Sequence, residues 1–285
     1  MSAPPNHRPV IAVIGTCDTK LEAMSFIKHT IILSGMEAIL IDIGSYEPPD
    51  STDINISRRD ILGEKSWDIS SSRGTAMNTM TQALTRTLSR LHAEKSIFGV
   101  IGAGGSGNTS VCTTAFREAL PIGFPKLMVS TMASGDVSHY VGETDITMMY
   151  SVVDIAGMNS ILEVVLRNAA RAIAGMTTGT ESTTNIASSH PTIAISMFGV
   201  TTPCVQTATK YLEDLGYTAV VFHATGSGGK AMERLILEGK FMGVLDLTTT
   251  EVLDSDNLIR QKLRPSESVS RRARWRYPVR GPSSP

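Results

Sequence analysis

The stretch GAGGSGNTS, residues 102–110, decides the fold that we predict for this chain. It follows an apolar run at residues 96–101 and precedes a helical pattern at residues 111–120, so a strand leads into a glycine-rich turn that opens a helix. Glycines leave the backbone N–H groups at the positive end of the helix dipole accessible to an anion. We therefore predict a strand–turn–helix unit of a parallel α/β fold, with an anion site at the turn.

The chain before this stretch repeats the same order of elements. Residues 10–14 form a β-branched run typical of a buried parallel strand, and the polar turn GTCDTK at residues 15–20 follows it. Helical spacing then continues to residue 31, and residues 38–43 predict a second strand. The segment at residues 44–74 lacks periodicity, so we expect a long irregular connection there.

The chain after the glycine stretch continues the alternation. Apolar spacing predicts a helix over residues 77–91, a short strand over 127–130 and a long amphipathic helix over 155–173. Beyond a stretch rich in Ser, Thr and Gly, three further strands begin at residues 192, 218 and 242. The fold class is therefore α/β with two Rossmann-like parallel-sheet domains, of which the second is incomplete. The predicted segments are an N-terminal Rossmann-like domain at residues 1–176, a linker at 177–191, a partial second α/β domain at 192–257 and a disordered basic tail at 258–285.

Composition limits the classes of partner. The 285 residues carry a formal net charge of −1, which gives no reason to expect a general affinity for nucleic acid or for an anionic membrane. The N-terminus lacks a signal-peptide pattern, and no apolar run approaches the roughly 20 residues of a membrane span. Cys17, Cys112 and Cys204 show no paired spacing and are interpreted as free thiols. We expect a soluble cytoplasmic protein without nucleic-acid or membrane partners.

The glycine stretch formally matches the dinucleotide motif GxGxxG in the required strand-to-helix context. A dinucleotide fold also needs an acidic residue near the end of the next strand, and residues 127–130 contain none. A phosphate or mononucleotide is therefore favoured over NAD, and a tight turn without any ligand remains the alternative. The candidate ligand contacts in this stretch are Gly102, Gly104, Gly105, Ser106, Gly107, Asn108 and Thr109.

A second group of candidates follows the first strand. Asp18, Thr19 and Lys20 lie at its carboxyl end, where ligands of open α/β sheets bind, although Thr19 could simply cap the helix and Lys20 could be a solvated charge. Cys17, close to a helix N-terminus, could have a lowered pKa, but no histidine or acidic partner that would make it a nucleophile is visible.

Two more polar stretches lie in the second domain. The glycine loop at residues 226–230 resembles a P-loop, but Ala224 and Ala231 occupy positions that the motif reserves for other residues, so an anion nest and a simple turn are equally open. Glu251 follows a dense run of side-chain oxygens and could face Mg²⁺ and a phosphate, or only solvate a strand end. The six histidines show no metal-ligand spacing, so we expect no structural metal.

Five of these stretches, in this order, resemble the Tm-1-like ATP-binding proteins, also called the UPF0261 family. The five are GTCDTK at residues 15–20, GAGGSG at 102–107, MASGD at 132–136, HATG at 223–226 and DLTTTE at 246–251. The resemblance covers roughly residues 8–252 and implies a two-part nucleotide-binding protein, self-associating as a dimer or larger, without an established reaction. Because the family pattern continues beyond Glu251, the resemblance implies a C-terminally truncated member of the family.

The resemblance also implies a cofactor and its contacts. The cofactor is ATP, with or without Mg²⁺, and the partner is a nucleotide or another phosphorylated ligand. Besides the glycine stretch, the implied contacts are Thr16, Asp18, Thr19, Lys20, Ser134, Gly135, Thr225, Gly226 and Glu251.

Three functions are compatible with these patterns. The first is a protein that binds ATP or a related phosphate ligand. The second is an enzyme acting on a phosphorylated or carboxylated small molecule, with Asp18, His223 or Glu251 for acid–base work. The third is a truncated interaction module that keeps the fold without the ligand.

Overall fold

The computed structural model describes residues 8–63, 73–178, 190–224 and 226–248. The chain divides into two compact units, Met1–Asn185 and Ile186–Pro285, and in each unit helices alternate with parallel strands. The predicted tail at residues 258–285 and most of the predicted linker lie outside the described residues. None of the described helices is long and apolar enough to cross a membrane.

The first unit contains a six-stranded parallel sheet with the order β3-β2-β1-β4-β5-β6. This is the doubly wound order in which the chain builds outward from β1 to β3, crosses back and then builds from β4 to β6. Its elements are β1 (Val10–Gly15), α1 (Cys17–Leu33), β2 (Glu37–Asp42), β3 (Ile54–Ile56), α2 (Arg58–Leu62), α3 (Arg73–Ala93), β4 (Gly99–Gly104), α4 (Ser106–Ala119), β5 (Lys126–Ser130), α5 (Ser138–Val141), β6 (Thr147–Tyr150) and α6 (Ser160–Thr177).

The core of the first unit has two layers, one on each face of the sheet. Because side chains alternate along a strand, Ala12 and Ile14 of β1 pack with residues of α3 and α4, whereas Ile11 and Val13 pack with residues of α1 and α6. The central strands are thus buried on both faces, which explains why they appear in the sequence as continuous apolar runs.

The segment at residues 44–74 is more ordered than we predicted. It contains the edge strand β3 and the short helix α2, and α3 begins at Arg73. The strand β3 has only three residues, and its central residue is Asn55, which is not a typical strand residue. The Asn55 Oδ1 accepts a hydrogen bond from Leu40 N (2.9 Å), so a side chain takes over part of the pairing with β2, and the sequence shows no strand pattern here. The edge strand β6 was also missed, since a four-residue, half-exposed strand leaves little pattern in a sequence.

The turn after β4 begins later than we predicted, because β4 continues through Gly104 and pairs with β5 up to Ser130. The first glycines therefore belong to a buried strand. A Cβ on Gly102 would come 2.8 Å from Met128 Sδ, and one on Gly104 would come 2.6 Å from Asn108 Cβ. These two glycines allow close packing inside the protein, and the turn itself is limited to residues 105–107.

The second unit contains a three-stranded parallel sheet with the order β8-β7-β9. Its hydrophobic cluster has only Ile193, Ile195 and Val205 as fully buried members among the described residues. The predicted loop at residues 226–230 is instead the first turn of a helix. The predicted α/β fold class with two Rossmann-like parallel sheets is confirmed, and the second sheet is the smaller of the two. The elements of this unit are β7 (Thr192–Met197), a 3₁₀ turn (Gly199–Thr201), α7 (Thr202–Asp214), β8 (Thr218–His223), α8 (Gly226–Leu237) and β9 (Gly243–Leu245).

Candidate functional site

The strand order of the first unit places its candidate site between β1 and β4. The two strands are neighbours with Ile14 opposite Gly102, yet the chain leaves them toward opposite halves of the sheet. At such a switch point the two strand exits diverge and leave a crevice at the carboxyl edge, which is where open α/β sheets bind ligands. The two polar stretches that the sequence singled out, after β1 and after β4, are therefore adjacent in the fold.

The turn after β4 presents the N-terminus of α4. Gly105 is the N-cap residue and carries no side chain that could cap the first turn. The first intrahelical hydrogen bond runs from Thr109 N to Gly105 O (2.9 Å), so the amides of Ser106, Gly107 and Asn108 precede it. A fourteen-residue helix thus directs its positive end toward the crevice.

Two of the predicted ligand contacts hold this turn in place. Asn108 is buried and its Nδ2 donates to Ala103 O (2.6 Å). Thr109 is buried and its Oγ1 is hydrogen-bonded to Ser130 Oγ (2.7 Å), which also accepts from Met132 N (3.0 Å). These side chains connect the carboxyl end of β4 to that of β5, and their polar atoms form hydrogen bonds within the protein.

The exit of β1 is organised around two carboxylates. Asp42, at the end of β2, accepts hydrogen bonds from Cys17 N (2.9 Å) and Gly44 N (2.8 Å). Asp18 Oδ2 accepts from the backbone N–H groups of Ser45 and Tyr46, each at 2.9 Å. Asp18 therefore binds the loop after β2, and this geometry does not support the acid–base role considered for it.

Burial decides the ionisation of the groups beneath this exit. Burial and the neighbouring Asp42 carboxylate raise the pKa of the Cys17 thiol, so Cys17 is a neutral thiol and the lowered pKa considered from its position is wrong. Burial also raises the pKa of Asp42, while the N–H groups of Cys17 and Gly44 act in the opposite direction. Asp42 Oδ2 is buried without a hydrogen-bond partner among the described residues.

The Lys20 side chain extends from the exit of β1 to the loop before α6. The helix α1 is kinked at this residue, with φ −134° and ψ 21°, and Lys20 Nζ donates to Ile155 O (2.7 Å). An ammonium group carries three donors, and this contact uses one of them. Thr19 remains exposed, and its Oγ1 lies 3.3 Å from Thr16 Oγ1. The helix begins at Cys17 with Thr16 as N-cap, so the capping position proposed for Thr19 is wrong.

These elements enclose a crevice of about 610 Å³, which we call the first cleft. One part of its wall is polar and comes from the exits of β1 and β4. The other part is apolar and comes from the loop after β2, from α3 and from α4. The lining residues are Thr16, Asp18, Thr19, Lys20, Ile43, Ser45, Tyr46, Ala76, Met77, Met80, Gly105, Ser106, Gly107, Asn108, Val111 and Asp154.

On the other side of the same turn lies a second cleft of about 420 Å³, at the carboxyl ends of β4, β5 and β6. It shares Gly105, Ser106 and Asp154 with the first cleft. Its complete lining is Gly105, Ser106, Thr131, Met132, Tyr150, Ser151, Val152, Val153 and Asp154.

The remaining predicted contacts lie elsewhere or outside the described residues. Ser134 and Gly135 are exposed in the turn after β5 and line neither cleft. Gly226 begins α8 in the second unit. Thr225 and Glu251 lie outside the described residues. Gly102 and Gly104 belong to β4 and line neither cleft.

The clefts contain residues that the sequence did not single out. Tyr46 and Met77 line the first cleft, Tyr150 lines the second, and Asp154 lines both. Asp154 follows β6 as Asp18 follows β1, so the same argument from strand exits would have found it if β6 had been predicted. The apolar lining residues carry no signal that distinguishes them from core residues.

The second unit has its own polar cluster at the carboxyl end of its sheet. Ser196 Oγ donates to Asp246 Oδ1 (2.6 Å) and accepts from Thr248 N (3.1 Å), and Thr248 Oγ1 is hydrogen-bonded to Thr201 Oγ1 (2.8 Å). These groups pair with one another and join the exit of β9 to that of β7. Across the described ranges of both units, no three His, Cys, Asp or Glu side chains are grouped closely enough to hold a metal ion.

The sequence of this chain is similar to those of known proteins over most of its length. The family model described as "Uncharacterised protein family (UPF0261) N-terminal domain" matches residues 9–182, and the one described as the C-terminal domain of the same family matches residues 190–261. A UPF0261 protein of Clostridium tetani is 46% identical over 249 residues, which cover 86% of this chain and 61% of that protein. The ToMV resistance protein Tm-1(GCR237) of Solanum lycopersicum is 39% identical over 276 residues, which cover 89% of this chain and 36% of that protein.

The chain thus spans about three fifths of the bacterial relative and about one third of the plant relative. Among solved structures, a UDP-GlcNAc 2-epimerase from Methanocaldococcus jannaschii matches with a TM-score of 0.30 and 9% identity, covering 86% of this chain and 75% of that one. A likeness at that level carries no argument about function.

Proposed function

The chain belongs to the UPF0261 family, and we propose that it binds a nucleotide, with ATP as the first candidate, through phosphates seated at the turn at residues 105–107. The single observation that supports the proposal most directly is the first turn of α4, which no side chain caps and which faces a cleft at the switch point of the sheet. Backbone amides at a helix N-terminus bind phosphate because they combine open donors with the positive end of the dipole.

The first cleft provides complementary surfaces for both parts of a nucleotide. Lys20 lines it beside the turn and offers a positive charge to a phosphate. On the apolar side, Tyr46 is exposed at the rim and Met77 lies on α3, and these side chains provide a surface for a planar base. The cleft volume of about 610 Å³ is within the range of small-ligand sites.

The strand after the glycine turn, β5, ends at Ser130 and supplies no acidic residue for a dinucleotide, and Asp42 at the end of β2 does not supply one either. In a dinucleotide fold the acidic residue after the second strand binds the ribose hydroxyls. Here Asp42 occupies that position, but it is buried and its Oδ1 accepts from Cys17 N and Gly44 N. The proposal is therefore a mononucleotide.

Calorimetric titration of the full chain with ATP, with and without Mg²⁺, tests this proposal. Ser106→Asp is the most informative variant, because a carboxylate in the first turn of a helix stabilises the helix while it repels a phosphate. We expect Ser106→Asp to weaken ATP binding by at least about tenfold without lowering the melting temperature. Saturating ATP should stabilise the unmodified protein by about 2.7 kcal/mol at one hundred times the Kd.

The matched control is Ser160→Asp. Ser160 is also the first residue of a helix, α6, and is exposed, but it lines neither cleft. We expect this variant to bind ATP as the unmodified protein does. Equal ATP affinity of Ser106→Asp and Ser160→Asp, or no ATP binding at millimolar concentration, would contradict the proposal.

A further inference from the structure

The second cleft differs in chemical character from the first. Three large side chains at its wall are exposed to solvent, namely Met132 (40%), Tyr150 (41%) and Val152 (55%). They come from the exits of β5 and β6, and none of them lines the first cleft. A contiguous apolar surface at a strand exit gains free energy when an apolar molecule covers it.

The only formal charge among the residues that line the second cleft is the carboxylate of Asp154. Asp154 is exposed, and its Oδ1 accepts from Ile155 N (2.8 Å), which orients the carboxylate. Within the described ranges, no Lys, Arg or His forms an ion pair with it. The nearby Lys20 ammonium donates to Ile155 O instead. The cleft therefore offers a negative charge beside an apolar wall.

The backbone that carries these groups has an unusual conformation. Val152 has φ +67°, and Val153 N donates to Ser151 O (2.7 Å), which closes a γ-turn of the rare form with positive φ. A β-branched residue rarely adopts this region, so the turn is strained. The buried Ser151 stabilises it by donating from Oγ to Val153 O (2.7 Å). The turn keeps Val152 and Asp154 together at the cleft surface.

We infer that the second cleft binds a small organic cation, an amine on an apolar or aromatic body, with the amine at Asp154 and the body against Tyr150, Met132 and Val152. Charge complementarity selects this occupant, because the cleft lining contains one carboxylate and no cationic side chain. The aromatic ring of Tyr150 also favours a cation near its face. The inference does not require a nucleotide in the first cleft, although Gly105, Ser106 and Asp154 line both clefts.

Binding of three small molecules with the same aromatic ring to the full chain tests the inference. Phenethylamine, 2-phenylethanol and phenylacetate differ in charge but carry the same aromatic ring. We expect phenethylamine to bind at least about tenfold more tightly than phenylacetate, with the alcohol between them, because the amine pairs with a carboxylate and the acid is repelled by it. Equal affinities, the reverse order, or no saturable binding of phenethylamine would overturn the inference.

Variants locate the binding. Asp154→Asn should reduce phenethylamine affinity about tenfold and remove the preference over the alcohol, and Tyr150→Ser should weaken both probes. The matched control is Tyr46→Ser, another exposed tyrosine, which lines only the first cleft and should leave phenethylamine affinity unchanged. If Tyr46→Ser and Tyr150→Ser lose the same affinity, the assignment to the second cleft is wrong.

The two proposals fail separately. ATP affinity is measured on the same variants, and Tyr150→Ser should leave it unchanged. ATP binding without phenethylamine binding overturns this inference alone, whereas phenethylamine binding without ATP binding overturns the proposed function alone. Should Tyr150→Ser fail to fold by circular dichroism, Met132→Ser replaces it, because Met132 is also exposed and also lines only the second cleft.

Discussion

At the scale of single residues, the side chains beside the turn after β4 divide between those that hold the turn and those that face the cleft. Asn108 and Thr109 are buried and bind backbone or hydroxyl groups of the protein, and of these two only Asn108 also borders the first cleft, whereas Ser106 lines both clefts. The sequence predicted all three as ligand contacts, because polar residues beside glycines look the same in either role. Only burial and hydrogen-bond direction separate the two roles.

Gly104 tests the packing role of a glycine. A Cβ at this position would lie 2.6 Å from Asn108 Cβ, so Gly104→Ala should lower the free energy of unfolding by about 1–3 kcal/mol through overpacking. Gly175→Ala is the matched control, because Gly175 lies in α6 with nothing within 4 Å of the added Cβ, and alanine there should add up to about 1 kcal/mol. Urea unfolding measures both, and equal effects of the two substitutions would refute the packing argument.

Asp42 gives the protein a predictable dependence on pH. Because burial raises its pKa in the folded state above the unfolded value of about 4, the native state binds more protons between these two values. Stability therefore falls as the pH rises through that interval, from the unfolded pKa up to the raised folded pKa.

Asp42→Asn removes this titration and keeps an oxygen acceptor for Cys17 N and Gly44 N. The stability of the variant relative to the unmodified protein should increase as the pH rises from the unfolded pKa of about 4 to the raised folded pKa, and then stay constant. Urea unfolding at a series of pH values measures this difference. A difference that stays constant, or that decreases over the same interval, would show that Asp42 is not destabilised by its charge.

At the scale of elements, the strands and helices of the centre could be predicted and the edges could not. The residues of β1 and β7 were found from their apolar runs, since buried parallel strands have a strong signal. The edge strands β3 and β6 were missed, because one relies on the Asn55 side chain and the other has only four half-exposed residues. Asp154 was missed together with β6, because the argument from strand exits needs the strand to be recognised first.

A buried cation, Lys126, stabilises the amino-terminal end of the parallel strands, opposite to the end where the clefts lie. Lys126 is fully buried, and its Nζ donates to Pro121 O (2.7 Å) and Phe124 O (2.8 Å) and pairs with Asp145 Oδ1 (2.7 Å). These contacts join the turn between α4 and β5 to the segment before β6. They support the scaffold from the end that lies away from the clefts.

Lys126→Met should lower the free energy of unfolding by about 2–4 kcal/mol, because the half-buried carbonyls of Pro121 and Phe124 and the Asp145 carboxylate lose their partner. The matched control is Arg90→Met, which removes the exposed Arg90–Glu94 pair and should change stability by about 0.5 kcal/mol or less. Chemical denaturation of both variants checks the difference. If the two substitutions cost the same, the buried contacts of Lys126 contribute no more than a surface ion pair.

At the scale of the whole molecule, topology adds what the sequence motifs lack. The sequence predicted two α/β units and polar exits after β1 and β4, and the sheet order supplies the physical reason why these two exits are neighbours. Their adjacency follows from the order β3-β2-β1-β4-β5-β6, in which β1 pairs with both β2 and β4. The glycine motif indicates the turn at residues 105–107, and the strand order explains why this turn lies between two clefts and lines both.

Amide chemical shifts, measured during an ATP titration of the full chain, show whether phosphate binds the backbone N–H groups of the turn after β4. We expect the largest shift changes at Gly105, Ser106 and Gly107, with little change at Gly175 in α6. Large changes that omit the turn, or no change at millimolar ATP, would contradict phosphate binding at this turn.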